Sequence, residues 1–310
     1  MTPRPDRGNG RTSWRHKLIV ALAYVARIRD RSAGKLVKLA EATAASAGTP
    51  LPAPEPPAAS LDGVTASLGH FGEWPVWRLE PQGGASRAQT LIYFHGGAYI
   101  AQMASFQWTW IATLVRELGC CALVPLYPLA PRGTAALVIP EAADLVAQAL
   151  APGAPVSVIG DSAGGGLALA VTQELVRRGG AQPAHLLLIA PWLDATLSDP
   201  RSLSIDDPLM TVDSLRWSGR QWAGELDPAE GRVSPLFASM EGLPPVTVFA
   251  GTRDILYPDT ARLEQRSRDE GLTMAFITMP GLVHGWPVFT FLPEARAALP
   301  RIVKIFEGFQ

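Results

Sequence analysis

Cysteine is nearly absent from this chain. Its 310 residues hold two, Cys120 and Cys121, and these are adjacent. A disulfide between sequence neighbours is strained, and no distant partner exists, so a disulfide framework is excluded and a reducing compartment fits. The pair reads as two small apolar residues in a buried strand. Long apolar runs are missing as well. The longest near the N-terminus, Leu18 to Ala26, is closed by Arg27 and is too short to span a bilayer. Basic residues before a short apolar stretch imitate a signal segment, but charge resumes at once with Arg27, Arg29 and Arg31. A cytoplasmic location is the expectation, with export or membrane association as the alternative. Charge is sparse, at 18% against 47% hydrophobic residues, which implies a globular chain with a large core.

The formal net charge is only −1, yet it is unevenly spread. Residues 1–38 carry ten Lys/Arg against two Asp, a net +8, and the remainder is −9. An acidic body excludes nucleic acid as a natural partner.

Residues 1–13 are polar and rich in Arg, Pro and Gly, and are expected to be disordered. Trp14 to Ala47 reads as helix, broken near Gly34, with Leu18, Leu22 and Val25 on one face. This basic helix is expected to be a lid or a docked helix; contact with a membrane surface is the alternative. Gly48 to Ser60 holds five prolines and reads as an extended connector. The division expected is therefore a cap segment with its connector over 1–60 and a catalytic body over 61–310.

Within the body, strands are expected at Trp74–Leu79, Thr90–Phe94, Cys120–Tyr127, Pro155–Ile159, His185–Ala190, Val246–Ala250 and Thr273–Met279. Helices are expected at Phe106–Leu118, Glu141–Leu150, Asp259–Glu270 and Glu294–Glu307, and after the serine turn. Alternation of this kind means an α/β fold with a mostly parallel sheet. Residues 194–240 break the rhythm and read as an insertion over the C-terminal edge of that sheet, a second part of a cap.

The chemistry centres on Gly160-Asp161-Ser162-Ala163-Gly164-Gly165. An apolar strand precedes it and a small-residue helix follows. Strand, sharp turn with an apical serine, then helix is the context of a nucleophile elbow. A serine hydroxyl is a weak nucleophile at neutral pH and needs a base, and the base needs an orienting acid. His284 follows the last strand, and a loop there can reach the elbow. The other histidines lie less well: His16 in the basic helix, His70 in a loop before the first strand, His185 opening a strand, and His95 in the His-Gly-Gly run. Asp254 directly follows the Val246 strand, 92 residues after Ser162 and 30 before His284. The order Ser, Asp, His is that of α/β-hydrolases. Asp194, also after a strand, is a rival acid, while Asp259 and Asp227 read as helix-start charges. His95-Gly96-Gly97-Ala98 closes the Thr90 strand, where glycines let backbone N–H groups approach a substrate oxygen; Gly96, Gly97, Ala98 and Ala163 are the oxyanion-hole candidates. Candidate pocket walls are Phe106, Trp108, Trp192, Leu209, Met210 and Trp217, with Trp110 and Trp222, each against the plainer reading of core. No cofactor and no metal enters this chemistry.

Together these motifs resemble the hormone-sensitive-lipase-like esterases, bacterial family IV in the α/β-hydrolase group. The resemblance covers roughly residues 74–307. It extends to Tyr127-Pro128-Leu129-Ala130-Pro131, Pro191-Trp192-Leu193-Asp194, Asp207-Pro208-Leu209 and Val233-Ser234-Pro235-Leu236-Phe237. It implies an eight-stranded α/β-hydrolase sheet with helices on both faces, a helical cap, and hydrolysis of small carboxylic esters with short or medium acyl chains. It also implies that the oxyanion donors are the N–H groups of Gly97, Ala98 and Ala163. Leu126, Pro128 and Arg132 replace the Asp, Arg and Glu of one family block, so a structural charge network there is missing or rewired. The same triad serves amidases and lactonases, and a non-catalytic receptor on this fold is a further alternative.

Overall fold

The computed structural model describes residues 12–150 and 154–308. The disorder expected of the leader falls, up to residue 11, outside them. Ser13 is ordered: its hydroxyl accepts the His16 N–H and caps the first helix.

Eight strands form one sheet in the order β1-β2-β4-β3-β5-β6-β7-β8. They are β1 (Val64–Phe71), β2 (Trp74–Pro81), β3 (Thr90–Phe94), β4 (Cys121–Pro125), β5 (Val156–Asp161), β6 (His185–Ile189), β7 (Val246–Arg253) and β8 (Met274–Val283). β2 runs antiparallel to both β1 and β4; every other pairing is parallel. The central strands are short, apolar runs such as Thr90–Phe94 and His185–Ile189. That composition suits strands covered on both faces, and Leu91 to Phe94 and Leu186 to Ile189 are buried.

The helices are α1 (Trp14–Val25), α2 (Ile28–Ala45), α3 (Ser105–Leu118), α4 (Ala135–Leu150), α5 (Ala163–Arg177), α6 (Val212–Ala223), α7 (Tyr257–Asp269) and α8 (Pro293–Glu307). Two apolar cores lie on opposite sides of the sheet. One gathers α4, α5 and the 193–240 segment around residues such as Leu167, Val171 and Trp222. The other gathers α3 and α8 around Trp110, Leu114, Ile302 and Phe306. An eight-stranded, mostly parallel sheet with helices on both faces is thus the architecture found. No described helix is long and apolar enough to cross a membrane.

Several boundaries depart from the sequence reading. The N-terminal helix breaks at Arg27, which takes a left-handed conformation (φ 50°, ψ 44°), and Gly34 lies inside α2. Residues 64–71 form a strand, so His70 sits on β1 paired opposite Pro75, not in a loop. β1 is an edge strand whose side chains after Val64 are mostly exposed, and it lacks the apolar alternation that would reveal it. α4 starts at Ala135 and runs through Pro140 instead of starting after it. The 194–240 segment contains α6 and two 3-10 turns, Pro200–Ser204 and Pro235–Phe237.

Candidate active site

The residues singled out by chemistry lie at the C-terminal ends of strands. His95 follows β3, Ser162 follows β5, Asp254 follows β7 and His284 follows β8. Parallel strands present these ends on one edge of the sheet.

The turn at Ser162 is strained. Its φ of 55° and ψ of −122° are rare for a residue with a side chain, and such positions cost about 1–3 kcal/mol unless the surroundings hold them. Here they do. The Ser162 N–H donates to the Ile189 carbonyl at 2.8 Å, and the Ser162 carbonyl accepts from Gly166 and Trp192 at 3.1 and 2.9 Å. The turn also requires small neighbours. A Cβ at Gly164 would overlap the Phe94 carbonyl oxygen, which fixes how closely α5 approaches β3.

Asp161 ties the elbow to the His-Gly-Gly turn. Its buried carboxylate accepts from the Tyr93 hydroxyl at 2.6 Å, the Gly96 N–H at 2.8 Å and Gln107 Nε2 at 3.0 Å. The Gly96 N–H is therefore committed. Gly96 lines the cavity but is withdrawn as a donor to substrate, a correction to the expectation. Gly97 (φ 135°), Ala98 (φ 55°) and Tyr99 (φ 60°) continue the turn in conformations with positive φ. His95 lies below them, stacked on Tyr127 at 4.7 Å, and the Tyr127 hydroxyl donates to the His95 carbonyl at 2.6 Å. Burial pushes the His95 imidazole below its ordinary value, which keeps it neutral and structural.

His284 Nδ1 lies 2.8 Å from Asp254 Oδ2, and Asp254 Oδ1 accepts the Leu256 N–H at 2.8 Å. Burial alone would lower the His284 imidazole. The charge and hydrogen bond of Asp254 reverse this, with Asp207 and Asp161 adding, so the net shift is upward. The rival acid, Asp194, is engaged elsewhere. It accepts from the backbone and hydroxyl groups of both Thr196 and Ser198 and faces Arg262 at 3.4 Å. Asp259 sits in the first turn of α7, as its helix-start reading expected, and is buried there and paired with Arg262 at 2.9 Å.

A cavity of about 340 Å³ opens over this edge. Ser162, His284, Gly96, Gly97 and Ala98 line it together. Ala163 does not line it; it is buried as the first residue of α5. Of the expected walls, Phe106, Leu209 and Met210 are present. The tryptophans are not. Trp108 and Trp110 belong to the core behind α3. Trp192 and Trp222 pack on Tyr99, at ring separations of 5.5 and 4.0 Å. Trp217 packs beside Ala40, Ile100 and Ala130. Walls that sequence reading missed come from α2, with Ser32, Lys35, Leu36 and Leu39, and from Phe289. Asp207 was also missed as a site residue. Its Oδ1 accepts the Leu209 N–H at 2.7 Å and its Oδ2 the Ile255 N–H at 3.1 Å. A larger cavity, about 790 Å³, lies between α4, α5 and residues 231–242, away from this chemistry.

The sequence profile described as alpha/beta hydrolase fold matches residues 91–288. A protein of Mycobacterium tuberculosis named triacylglycerol lipase is 32% identical over 253 residues, which are 80% of this chain and 53% of that protein. This chain thus spans about half of that relative's length. An acetyl-hydrolase of Streptomyces hygroscopicus is 31% identical over 68% of this chain and 73% of its own. Among solved structures, an esterase from the bacterial hormone-sensitive lipase family superposes with a TM-score of 0.75 at 23% identity, over 90% of this chain and 98% of that one.

Proposed function

This chain belongs to the alpha/beta hydrolase fold family, and from that premise we propose that it is a serine carboxylic-ester hydrolase of the hormone-sensitive-lipase-like kind. The observation that carries the reading is the 2.8 Å approach of His284 Nδ1 to Asp254 Oδ2 beside a cavity that His284 shares with Ser162. With Nδ1–H directed at the carboxylate, Nε2 is left as the basic nitrogen.

In the reaction, Ser162 Oγ attacks the ester carbonyl and His284 Nε2 takes its proton. The tetrahedral oxyanion is held by the backbone N–H groups of Gly97, Ala98 and Ala163. One such donor contributes roughly 10²–10³ in rate. His284 then returns the proton to the departing alcohol, leaving an acyl-serine. Water, deprotonated by His284 Nε2, attacks that ester, and His284 gives the proton to Ser162 Oγ as the acid departs. Asp254 keeps the imidazole in the working tautomer and stabilises the imidazolium without itself taking the proton. α1, α2 and the 194–240 segment act as the cap: α2 and residues 209–215 supply walls of the cavity, and α1 lines the apolar cavity next to it. A space of about 340 Å³ with Phe106, Leu209, Met210 and Phe289 among its walls suits an acyl chain of short to medium length.

The test is hydrolysis of p-nitrophenyl esters of increasing acyl length by the native chain and by Ser162→Ala. Loss of turnover in the variant across the series is expected. Undiminished turnover in Ser162→Ala overturns the assignment.

A further inference from the structure

We propose that the outer face of α1 docks on an anionic phospholipid surface. α1 is apolar on two opposite sides. His16, Val20 and Ala23 recur at helical spacing and are buried against the body. On the other side, Trp14, Leu18, Leu22 and Val25 recur at i, i+4, i+8 and i+11 and form a second stripe. They are 69%, 49%, 56% and 82% exposed. A surface helix that packs by one face keeps its opposite face polar, so this second stripe needs an occupant.

Charge selects it. Arg15 and Lys17 flank the stripe on either side, and Arg15 lies over the Trp14 ring at 5.6 Å. Arg31 and Lys38 are further exposed cations on α2, and among the described residues none of these four forms an ion pair. Arg27 and Arg29 are partly offset by Asp30 and Asp206. A row of apolar side chains bordered by cations matches an interface where acyl chains lie beneath anionic headgroups. A second copy is a poor occupant, because α1 carries Arg15 and Lys17 and no acidic residue, so a self-paired stripe gathers cations with no anion to offset them. The acidic body, repelled by the same lipids, helps hold α1 as the contacting side.

The fold behind the stripe continues it inward. An apolar cavity of about 300 Å³ lies under α1, between Ile19, Val20 and Leu292. The exposed residues Leu22, Ile28 and Phe291 are among its walls, so it reaches the surface at the stripe. Leu209 and Phe289 border both this cavity and the one holding Ser162. Docking therefore brings the lipid phase to a cavity that shares the Leu209 and Phe289 walls with the one holding Ser162; that use of the surface, though not the docking, rests on the ester-hydrolase reading.

The experiment is flotation of full-length Ser162→Ala with vesicles of phosphatidylcholine alone or mixed with phosphatidylglycerol. Binding is expected with the mixed vesicles and about tenfold less with the neutral ones. In the same background, Trp14→Gln/Leu18→Gln/Val25→Gln is expected to lower binding about tenfold or more with an unchanged circular dichroism spectrum. If that variant misfolds, Arg15→Glu/Lys17→Glu, confined to exposed flanking charges, is expected to give the same loss. Absence of binding, binding indifferent to phosphatidylglycerol or to both variants, or a concentration-dependent dimer abolished by them overturns the proposal. Native protein that turns over soluble esters but ignores vesicles removes the docking and leaves the ester-hydrolase reading intact. Vesicle binding without ester turnover removes only that reading.

Discussion

Asp207 Oδ2 accepts the backbone N–H of Ile255 at 3.1 Å, one residue beyond Asp254. Its other oxygen accepts the N–H groups of Leu209 and Met210, at 2.7 and 3.2 Å, which line the Ser162 cavity. One buried carboxyl thus fixes a cavity wall to the loop that carries the partner of His284. Burial, with the neighbouring Asp254 charge, pushes Asp207 up to about 6, and its own charge raises His284.

Asp207→Asn is therefore expected to shift the acid limb of kcat/KM to lower pH, because His284 loses a neighbouring negative charge. The native limb is expected to be broader than one ionisation, since a proton taken up by Asp207 in the same pH range removes the charge that raises His284. The Asn amide also presents a donor to a backbone donor, which loosens the 208–210 wall and raises KM. A pH profile of the two proteins on one soluble ester checks this.

Asp161 supports a second prediction. In Asp161→Ala three buried donors, from Tyr93, Gly96 and Gln107, lose their acceptor. Unpaired buried donors cost about 1–3 kcal/mol each, so a loss of at least about 3 kcal/mol is expected in urea unfolding. Tyr93→Phe removes one donor with its acceptor left otherwise paired, and is expected to cost about 1 kcal/mol. Equal losses in the two variants contradict the network.

Asp259 gives a stability prediction with a definite sign. Burial, then the charge of Asp194, raises it to about 7 despite Arg262. An unfolded Asp titrates near 3.9, so the folded state binds this proton more readily. The contribution is fully present below about pH 4 and is lost as pH rises through about 7. Asp259→Asn cannot lose it. Its Tm relative to the native chain is expected to rise between pH 4 and pH 8, checked by thermal melts across that range; a difference independent of pH contradicts it.

The parts legible in the sequence are those set by local chain chemistry. Gly160 to Gly165 announces its turn because only small residues tolerate the approach of α5 to β3 and β5. His284 and Asp254 were readable because each directly follows an apolar strand. What escaped depends on long-range packing. The tryptophans Trp108, Trp192 and Trp217 are large and apolar, as a pocket wall can be, but residue type does not tell direction, and each points into packing. Trp192 is held by its Nε1–H bond to the Asp194 carbonyl at 2.9 Å. Gly96 looked like a free donor because its acceptor lies 65 residues away. β1 was hidden because an exposed edge strand needs little apolar patterning. The contribution of α2 to the cavity follows from the break at Arg27, where nothing in residue type marks a left-handed turn.

The central claim is that Ser162 is the nucleophile. Reaction of the native chain with a fluorophosphonate, followed by peptide mass spectrometry, tests it most directly. One phosphonyl adduct is expected, on Ser162, with ester turnover lost in proportion and no adduct in Ser162→Ala. His284→Ala is expected to slow labelling by several orders of magnitude, since the hydroxyl loses its base. Labelling at another serine, or full ester turnover by protein labelled at Ser162, would contradict the account.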